Sequence, residues 1–573
     1  MFPLHDSLDD VLREELGVYD DLTAALLARR GITTKEEAEQ FLNPSYDLHL
    51  HDPLIMTDME KGARRLADAI HAKEKIVVWS DYDCDGVPGA VLMHDFLQKM
   101  DATFENYIPH RHLEGYGVNV SGIEKLAEGG ARLIVTVDSG ITDREAIGRA
   151  KELGMDVIVT DHHLPAQAGL PDALAVINPN AREDEAYPFH DLCGSGVAWK
   201  LVSATLAIDP ALRSRASEGW EKWLLDMVGL ATVADMVSLA GENRVLATYG
   251  LLVMRKSPRL GLRKLCRAIR VEQRTITEDD VGFMIAPRIN AASRMGDARD
   301  AFQLFITDSA TEAEALAKKL DAANRKRKAE AGAITRAVHA RLKERELRSV
   351  IALGDPTWRP ALLGLVANTI ADEHERPVFL WGKEGNNSIK GSVRSGGGIH
   401  ALALMEAAPD TFSQFGGHAA AGGFTVAEQA IFDLEDRLVT AHSKIGAGSL
   451  SDGDLSLRAD GVIAPDEVDL AFLKQVEKLA PFGIDNPKPV FLLNNVTVES
   501  TARFGKAGEH LKLRVTTDTR RLDAVTFFAK GALARTADAL RAGSRAHILA
   551  HVERDTFSRA NPVRLRLLDV RTA

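Results

Sequence analysis

The sequence predicts an α/β protein: a doubly wound parallel sheet, a long bridging helix, a second α/β unit and a small C-terminal β-barrel of the OB type. Three observations carry this. The apolar runs KIVVW (75–79), ARLIVTV (131–137), MDVIVT (155–160) and ALAVINP (173–179) alternate with helical stretches. Strands this apolar, joined by helices, imply a parallel sheet covered on both faces. Residues 311–348 lack Pro, hold one Gly and space their apolar positions three and four apart. Near the C-terminus, five short strand-like segments surround one helical insert.

Each element follows in order. Residues 1–55 read as short helices, LTAALLARRG and KEEAEQFLNP, stopped by Gly31 and Pro44. The first α/β body spans 56–305, beginning with the helix MEKGARRLADAIHA; within it VPGAVLMHDFLQKM and DREAIGRAKELG are crossover helices, and the region after Leu201 is mostly helical. The bridging helix, 306–348, is heavily charged with a narrow apolar stripe, a design for spanning bodies rather than filling one. A second α/β unit, 349–447, opens with SVIAL, LLGLVANTIADE and PVFLW. The Gly/Ser-rich stretch 441–454 is the expected linker. The barrel, 455–573, takes PVFLLNNVTVES, HLKLRVTT, RLDAVTFFA, SRAHILAHVER and PVRLRLLDV as strands.

Five domains suit 573 residues at about 100–200 residues per domain. Hydrophobic residues at 45% and charged residues at 27% exclude a mainly disordered or collagen-like chain. No apolar run approaches the roughly 18–20 residues that span a bilayer. The start, MFPLHDSLDDVLREEL, lacks the basic and apolar regions of a signal peptide. Cys84, Cys193 and Cys266 form no CxxC pair, which disfavours zinc-ribbon chemistry and fits a reducing compartment; cytoplasmic is the expectation. With 70 Lys+Arg against 82 Asp+Glu, the net charge of −12 opposes nucleic-acid binding by bulk attraction. The charge is uneven, however: from Thr501 onward, 15 Lys+Arg face 7 Asp+Glu. An acidic body with a basic tail fits either a metal-rich centre joined to an anion-binding module or plain surface variation.

The chemistry gathers in SDYDCDG (80–86), VDSG (137–140), TDHH (160–163) and ATVADMVSL (231–239), each read as following an apolar strand run. In a doubly wound sheet the carboxyl ends of the strands share one edge, where ligands bind. The first three clusters therefore converge, and carboxylates bunched together need cations among them. Asp83 and Asp85, two apart in an extended segment, should point to one side. With Asp138, His162 and Asp235 they offer a mixed oxygen and nitrogen set suited to two ions of Mn²⁺ or Mg²⁺. Cys84 alternates away from them and reads as a small packing residue, and Pro88 fits a first helical turn.

In this order the DxDxDG, VDxG, DHH and ADM clusters resemble the DHH phosphoesterase superfamily and, within it, the RecJ family of single-strand-specific exonucleases. IPHRHLEGYGVN (108–119), APRINAASRMG (286–296), KGSVRSG (390–396), FGGHAAAGGF (415–424) and LAPFGIDNPKPVF (479–491) extend the resemblance over nearly the whole chain. The sequence departs from the pattern at Cys84, at Pro88 and at Asp485, which stands where the pattern carries Gly. The resemblance implies a DHH domain, a DHH-associated domain and an OB domain. It implies that Asp83, Asp85, Asp138, His162 and Asp235 ligate metals, with Asp138 between two ions. It further implies that His163 contacts the scissile phosphate or supports a ligand, and that Asp161 and Asp81 orient the ligands. Two such ions about 3.5–4 Å apart activate water and clamp the phosphate.

For phosphate contacts, GGHAAAGG around Gly417 and His418 offers backbone N–H groups, and Arg394 with Ser395 adds a fork and a hydroxyl. Arg111, Arg288, Asn290 and Arg294 are further candidates, and the long helix could wall a groove. The barrel carries Phe482, Phe491, Phe504, Phe527, Phe528 and Phe557; most should fill its core, while one or two stack on bases. The expected activity is metal-dependent 5′→3′ hydrolysis of single-stranded DNA in repair and recombination, the polarity being implied by the resemblance alone. A monomer is expected, with a single-strand-binding protein and a helicase as partners and no membrane. The alternatives are a hydrolase of short oligoribonucleotides or cyclic dinucleotides, which needs no distal strand-binding barrel, and a non-catalytic replication scaffold, which would lack some of these acids.

Overall fold

The structure, a computed structural model, describes residues 2–6, 8–384, 388–445, 457–505, 508–517, 520–555 and 562–573. Five parallel strands build the first sheet: β1 (Lys75–Ser80), β2 (Thr103–Tyr107), β3 (Leu133–Val137), β4 (Asp156–Thr160) and β5 (Ala175–Ile177), in the order β2-β1-β3-β4-β5. Their side chains alternate between two cores. Ile76, Val78, Leu133 and Val135 enter one; Val77, Trp79, Ile134 and Val159 enter the other. Burial on both faces explains the unbroken apolar runs. The edge strand β2 escaped the sequence reading because Thr-Phe-Glu-Asn-Tyr is mostly half-buried and has no apolar run to betray it.

Register then sets the chemistry. Ser80 pairs with Val137, Val137 with Thr160, and Thr160 with Ile177. The next residues, Asp81, Asp138, Asp161 and Asn178, therefore stand in a row along one edge. Asp235 arrives differently from the expectation: ATVADM is no strand end but the close of the helix Leu225–Ala234, with Asp235 as its C-cap. A helix fits there because this segment is buried on every side and has no period-2 pattern.

The long helix runs Ala310–Lys343, with the Ser309 hydroxyl accepting from the Glu312 N–H at its start. Its apolar stripe divides. Ala313, Ala317 and Leu320 belong to the core of the first body, while Ile334, Val338 and Leu342 pack with Leu363, Val366 and Ile370 of the helix Pro360–His374. One stripe serving two cores is what makes the helix a bridge.

The second sheet holds β6 (Ile351–Gly354), β7 (Val378–Glu384), β8 (Ser388–Arg394), β9 (Phe412–Gly417) and β10 (Ala421–Val426), in the order β6-β7-β8-β10-β9. β6 and β7 are parallel; the other pairings are antiparallel. GGHAAAGG, whose backbone N–H groups are the expected phosphate contacts, is a β-hairpin. Gly417 faces Gly422, Gly416 faces Gly423, and the His418 N–H bonds the Ala421 carbonyl. A Cβ on Gly417 would lie 2.3 Å from that same carbonyl oxygen, so the tight turn needs glycine.

At the C-terminal end β11 (Gly461–Val462) pairs with β12 (Phe491–Phe504), followed by β13 (His510–Thr516), β14 (Arg521–Thr526), β15 (Arg545–Arg554) and β16 (Val563–Thr572). The order β12-β13-β14-β16-β15 closes through β12–β15 pairing into a five-stranded barrel, as expected of an OB-fold. The expected linker lies outside the described residues from 446 onward, as does Phe557.

The N-terminal helices are not a free segment. Leu26 and Leu27 of Asp21–Ala28, with Ala38 and Phe41 of Lys35–Leu42, share one core with Leu473, Phe491, Leu511 and Ile548. The PFGIDNP turn is pinned between bodies. Arg30 Nε donates to Asn486 Oδ1 at 2.6 Å, the Leu239 N–H to the Ile484 carbonyl at 2.9 Å, and Arg244 Nη2 to the Ala480 carbonyl at 3.1 Å. Asp485 takes φ 58° there, the left-handed conformation a glycine adopts freely and aspartate tolerates better than most residues.

Candidate active site and metal centre

Side chains from four loops meet at the edge of the first sheet. Asp81, Asp83 and Asp138 form one potential metal-holding group; Asp85, His162 and Asp235 form another; Asp138, His162 and His163 a third. In each group the donor atoms lie within 4.8 Å of one another. Asp138, whose carboxylate belongs to two of the three groups, sits at φ 59° just past β3 with its N–H tied to the Thr160 carbonyl. His162 Nε2 stands 3.3 Å from Asp138 Oδ1, 3.6 Å from Asp235 Oδ2 and 3.8 Å from Asp85 Oδ2.

Asp83 and Asp85 do not share an extended segment, contrary to the sequence expectation. The chain turns at once into the helix Gly86–Lys99, and Asp83 Oδ1 accepts from the N–H groups of Asp85 and Gly86. The two acids consequently fall into different groups. Asp81, expected only to orient ligands, lies among them with a buried oxygen of its own. Cys84 is buried, as expected.

Electrostatics make these groups costly as they stand. Burial, then Asp85 and the other neighbouring acids, pushes the Asp138 carboxyl well above its ordinary range. Burial with Asp83 does the same to Asp81, and burial opposed by His162 raises Asp85. Asp235 is raised to about 9 by burial, Asp85 and Asp83, and it sits at a helix C-terminus, where negative charge is disfavoured. Asp81 Oδ1, Asp138 Oδ1 and His162 Nε2 are buried without a hydrogen-bond partner among the described residues. Unpaired buried polar atoms are rare, and here three converge with surplus negative charge. Oxygen-rich donors with imidazole fit divalent cations of the Mn²⁺ or Mg²⁺ kind.

The surrounding contacts hold this geometry. Asp161 is fully employed: Oδ1 accepts from the His162 and His163 N–H groups and meets His163 Nδ1 at 2.8 Å, and Oδ2 accepts from Ile141 N–H. Burial opposes protonation of His163, but Asp161 outweighs it and lifts the imidazole to about 9. Several supports escaped sequence reasoning. Asp85 accepts from the Gly194 and Ser195 N–H groups at 2.6 and 2.8 Å, at the start of the helix Gly194–Ile208. A Cβ on Gly194 would stand 2.6 Å from that of Asp138, so only glycine fits. Asn178 and Asn180 donate to the His163 and His162 carbonyls. Tyr116 places its hydroxyl 3.4 Å from His163 Nδ1. A Gly-Ser-Gly opening an apolar helix was the visible signal for Ser195; the asparagines act on backbone and leave none.

The phosphate candidates divide. The Arg111 guanidinium lies 4.7 Å from the Tyr82 ring centroid. Arg294 donates to the Ala361 carbonyl, and burial, then Arg111 and Arg327, lowers it to about 10. Arg327 of the long helix is lowered by burial and by Arg288 and lies near Arg294, which in turn stands close to Asp83. Arg288 itself pairs with Asp321 at 3.2 Å and donates to the Met284 carbonyl, which makes it a strut to the long helix. The Asn290 Oδ1 is taken by the Cys84 N–H at 2.8 Å, so it fixes the acidic turn. Arg394 bonds its neighbour's carbonyl, has no carboxylate partner among the described residues, and is lowered by burial. The Ser395 N–H is bonded to Ala420, and His418 is exposed at the hairpin turn.

Fold and cluster together define the class. Residues 75–232 match the model of the DHH family, N-terminal domain, and 327–442 match the DHHA1 domain. Residues 459–569 match the RecJ OB domain. The chain is 34% identical to the single-stranded-DNA-specific exonuclease RecJ of Bacillus subtilis over 97% of its length and 69% of that protein. It is 32% identical to the protein of that name from Escherichia coli over 82% of each. The crystal structure of RecJ in complex with Mn²⁺ from Thermus thermophilus superposes with a TM-score of 0.80 at 27% identity, covering 100% of this chain and 79% of that one. The chain belongs to the RecJ family. Among the described residues no helix is long and apolar enough to cross a membrane.

Proposed function

We infer that this chain is a metal-dependent exonuclease of single-stranded DNA that works 5′→3′ in repair and recombination. One observation carries the reading: a row of acids with three buried polar atoms that have no partner among the described residues stands beside the cations Arg111 and Arg294, which have no carboxylate ion pair among the described residues. Asp81, Asp83 and Asp138 would hold one Mn²⁺ or Mg²⁺, and Asp85, His162, Asp235 and Asp138 a second. Such ions supply an activated water and neutralise charge on the scissile phosphate. Asp138 belongs to both sets and keeps them in register. His163, kept protonated by Asp161, offers its imidazolium to a phosphate oxygen, with the Tyr116 hydroxyl alongside. Arg111 and Arg294 draw the backbone phosphates to the acids. Arg394 and His418 in the second unit grip the 5′ end.

The barrel supports a long strand as substrate. Phe482 and Phe491 are buried, but Phe504, Phe527 and Phe528 are exposed around His510, and the Arg566 guanidinium lies 4.4 Å from the Phe527 ring centroid. Stacking rings beside cations suit unpaired bases. A hydrolase of dinucleotides would have no use for them. A helicase would deliver the strand and a single-strand-binding protein would cover it; one chain supplies every proposed ligand, so a monomer suffices. The test is digestion of 5′- and 3′-labelled single strands with and without Mn²⁺ or Mg²⁺, beside duplex and RNA controls. Early release of the 5′ label, dependent on metal and absent from duplex, is expected. Early release of the 3′ label refutes the polarity, and equal digestion of duplex refutes the strand selectivity.

A further inference from the structure

A second cluster of metal-binding side chains lies away from the acidic row, where the long helix meets the second α/β unit. His339 comes from the last turns of Ala310–Lys343; Glu373 and His374 close the helix Pro360–His374. Their donor atoms lie within 4.8 Å of one another. His339 Nε2 is 3.1 Å from Glu373 Oε2, and the two imidazole centroids are 6.4 Å apart. His374 Nε2 is buried and has no hydrogen-bond partner among the described residues.

We propose that His339, Glu373 and His374 bind a structural divalent ion of the zinc class. Four features point this way. Two imidazoles and one carboxylate form a borderline donor set, which favours zinc over the hard ions suited to the acidic row. The orphaned His374 nitrogen costs free energy until an electrophile or donor meets it. Both helices end here, and the negative ends of two helix dipoles favour a cation. Finally, Glu373 is oriented from outside: Lys530, from the segment before the barrel's helix, holds Oε1 at 2.9 Å and leaves Oε2 for the ion. Ligand atoms around tetrahedral zinc stand about 3.3 Å apart, given bonds of about 2.0–2.1 Å; His339 and Glu373 already meet that spacing, so binding need draw His374 in by at most about 1.5 Å, within reach of side-chain rotation. The ion would staple the bridging helix to the second unit beside the Val338–Ile370 seam. Through Glu373 and Lys530 it would also tie in the barrel.

The test uses the full chain carrying Asp85→Ala and Asp138→Ala, so that zinc cannot settle in the acidic row, with Zn²⁺ as the probe. Equilibrium dialysis and elemental analysis should find about one zinc per chain. Adding His339→Ala or His374→Ala should weaken that binding at least tenfold, a scale reached even by outer partners of metal ligands. Lys530→Met, which removes the outer partner of Glu373 and leaves all three ligands in place, should weaken binding less than either histidine substitution. Zinc should slow hydrogen exchange in the last turns of the long helix in the parent and not in the His339 variant. Circular dichroism establishes folding, and His374→Gln replaces His374→Ala if the latter is not native. Absence of bound zinc in the parent, or binding that neither histidine substitution weakens, overturns the proposal.

Discussion

Replacing Asp235 with Asn should abolish cleavage and yet stabilise the metal-free protein. The Asp235 carboxyl is raised to about 9, by burial first and then by Asp85 and Asp83. In the unfolded chain it titrates near 3.9. A carboxyl raised on folding contributes its stability below the unfolded value and loses it as pH climbs toward the folded one. At pH 7 the gap of about three units corresponds to up to about 4 kcal/mol that the metal-free fold gives up relative to acid pH. The neutral isostere removes this loss. With a urea dependence of about 3 kcal/mol per molar for a large body, the midpoint should rise by about 1 M. The assay is urea unfolding of the first body in chelator at pH 5 and pH 7.5, resolved by hydrogen exchange in β1 and β3. The parent should weaken as pH rises, the variant should weaken less steeply because Asp81, Asp85 and Asp138 remain raised, and saturating Mn²⁺ should flatten the parent. A variant less stable than the parent at pH 7.5 in chelator would refute the reasoning, as would a parent indifferent to pH.

Three further outcomes are expected. Asp138→Ala should leave a folded protein with no measurable cleavage, because the shared carboxylate positions both proposed ion sites; substantial activity at saturating Mn²⁺ excludes that role. Arg394→Ala and His418→Ala should slow digestion from a free end while metal binding, read by calorimetry, is unchanged; loss of metal would remove the second unit from substrate binding. Phe528→Ala should cost about 1–3 kcal/mol of affinity for long single strands, and Arg566→Ala should make the salt dependence shallower, both without changing cleavage of short strands. Filter binding across a salt series reads both.

Much of the site was legible because strand ends in a parallel sheet fall in register, so acids following KIVVWS, LIVTV and DVIVT had to be neighbours. The local conformation was not legible. Asp83 and Asp85 looked like one face of an extended segment, but Asp83 caps the turn into the next helix and the pair divides. Arg288 and Asn290 carried the right chemistry for phosphate, yet Asp321 and the Cys84 N–H, distant in sequence, claim them. Asp235 was placed correctly in the cluster on the wrong kind of element, since an all-buried helix and a buried strand share one composition. The antiparallel half of the second sheet hid behind glycines, which suppress any strand pattern in FGGHAAAGGF.

The core shared between the first helices and the barrel has a consequence for the order of synthesis. At about 5–20 residues per second, Leu26, Leu27 and Phe41 leave the ribosome roughly 25–100 s before β15 is made. For the later part of that wait, roughly 16–62 s, the acidic row is already complete, since Asp235 is the last of its members to be translated. A nascent chain thus owns its proposed catalytic acids long before it owns a finished fold. A product broken off near residue 455 would carry those acids on a scaffold that displays unburied leucines and phenylalanine to the cell. Such a fragment is a ready target for chaperones and proteases. Packing the first helices against the barrel therefore makes the barrel a condition of a finished fold: a stray fragment able to cut DNA would also be one that does not persist.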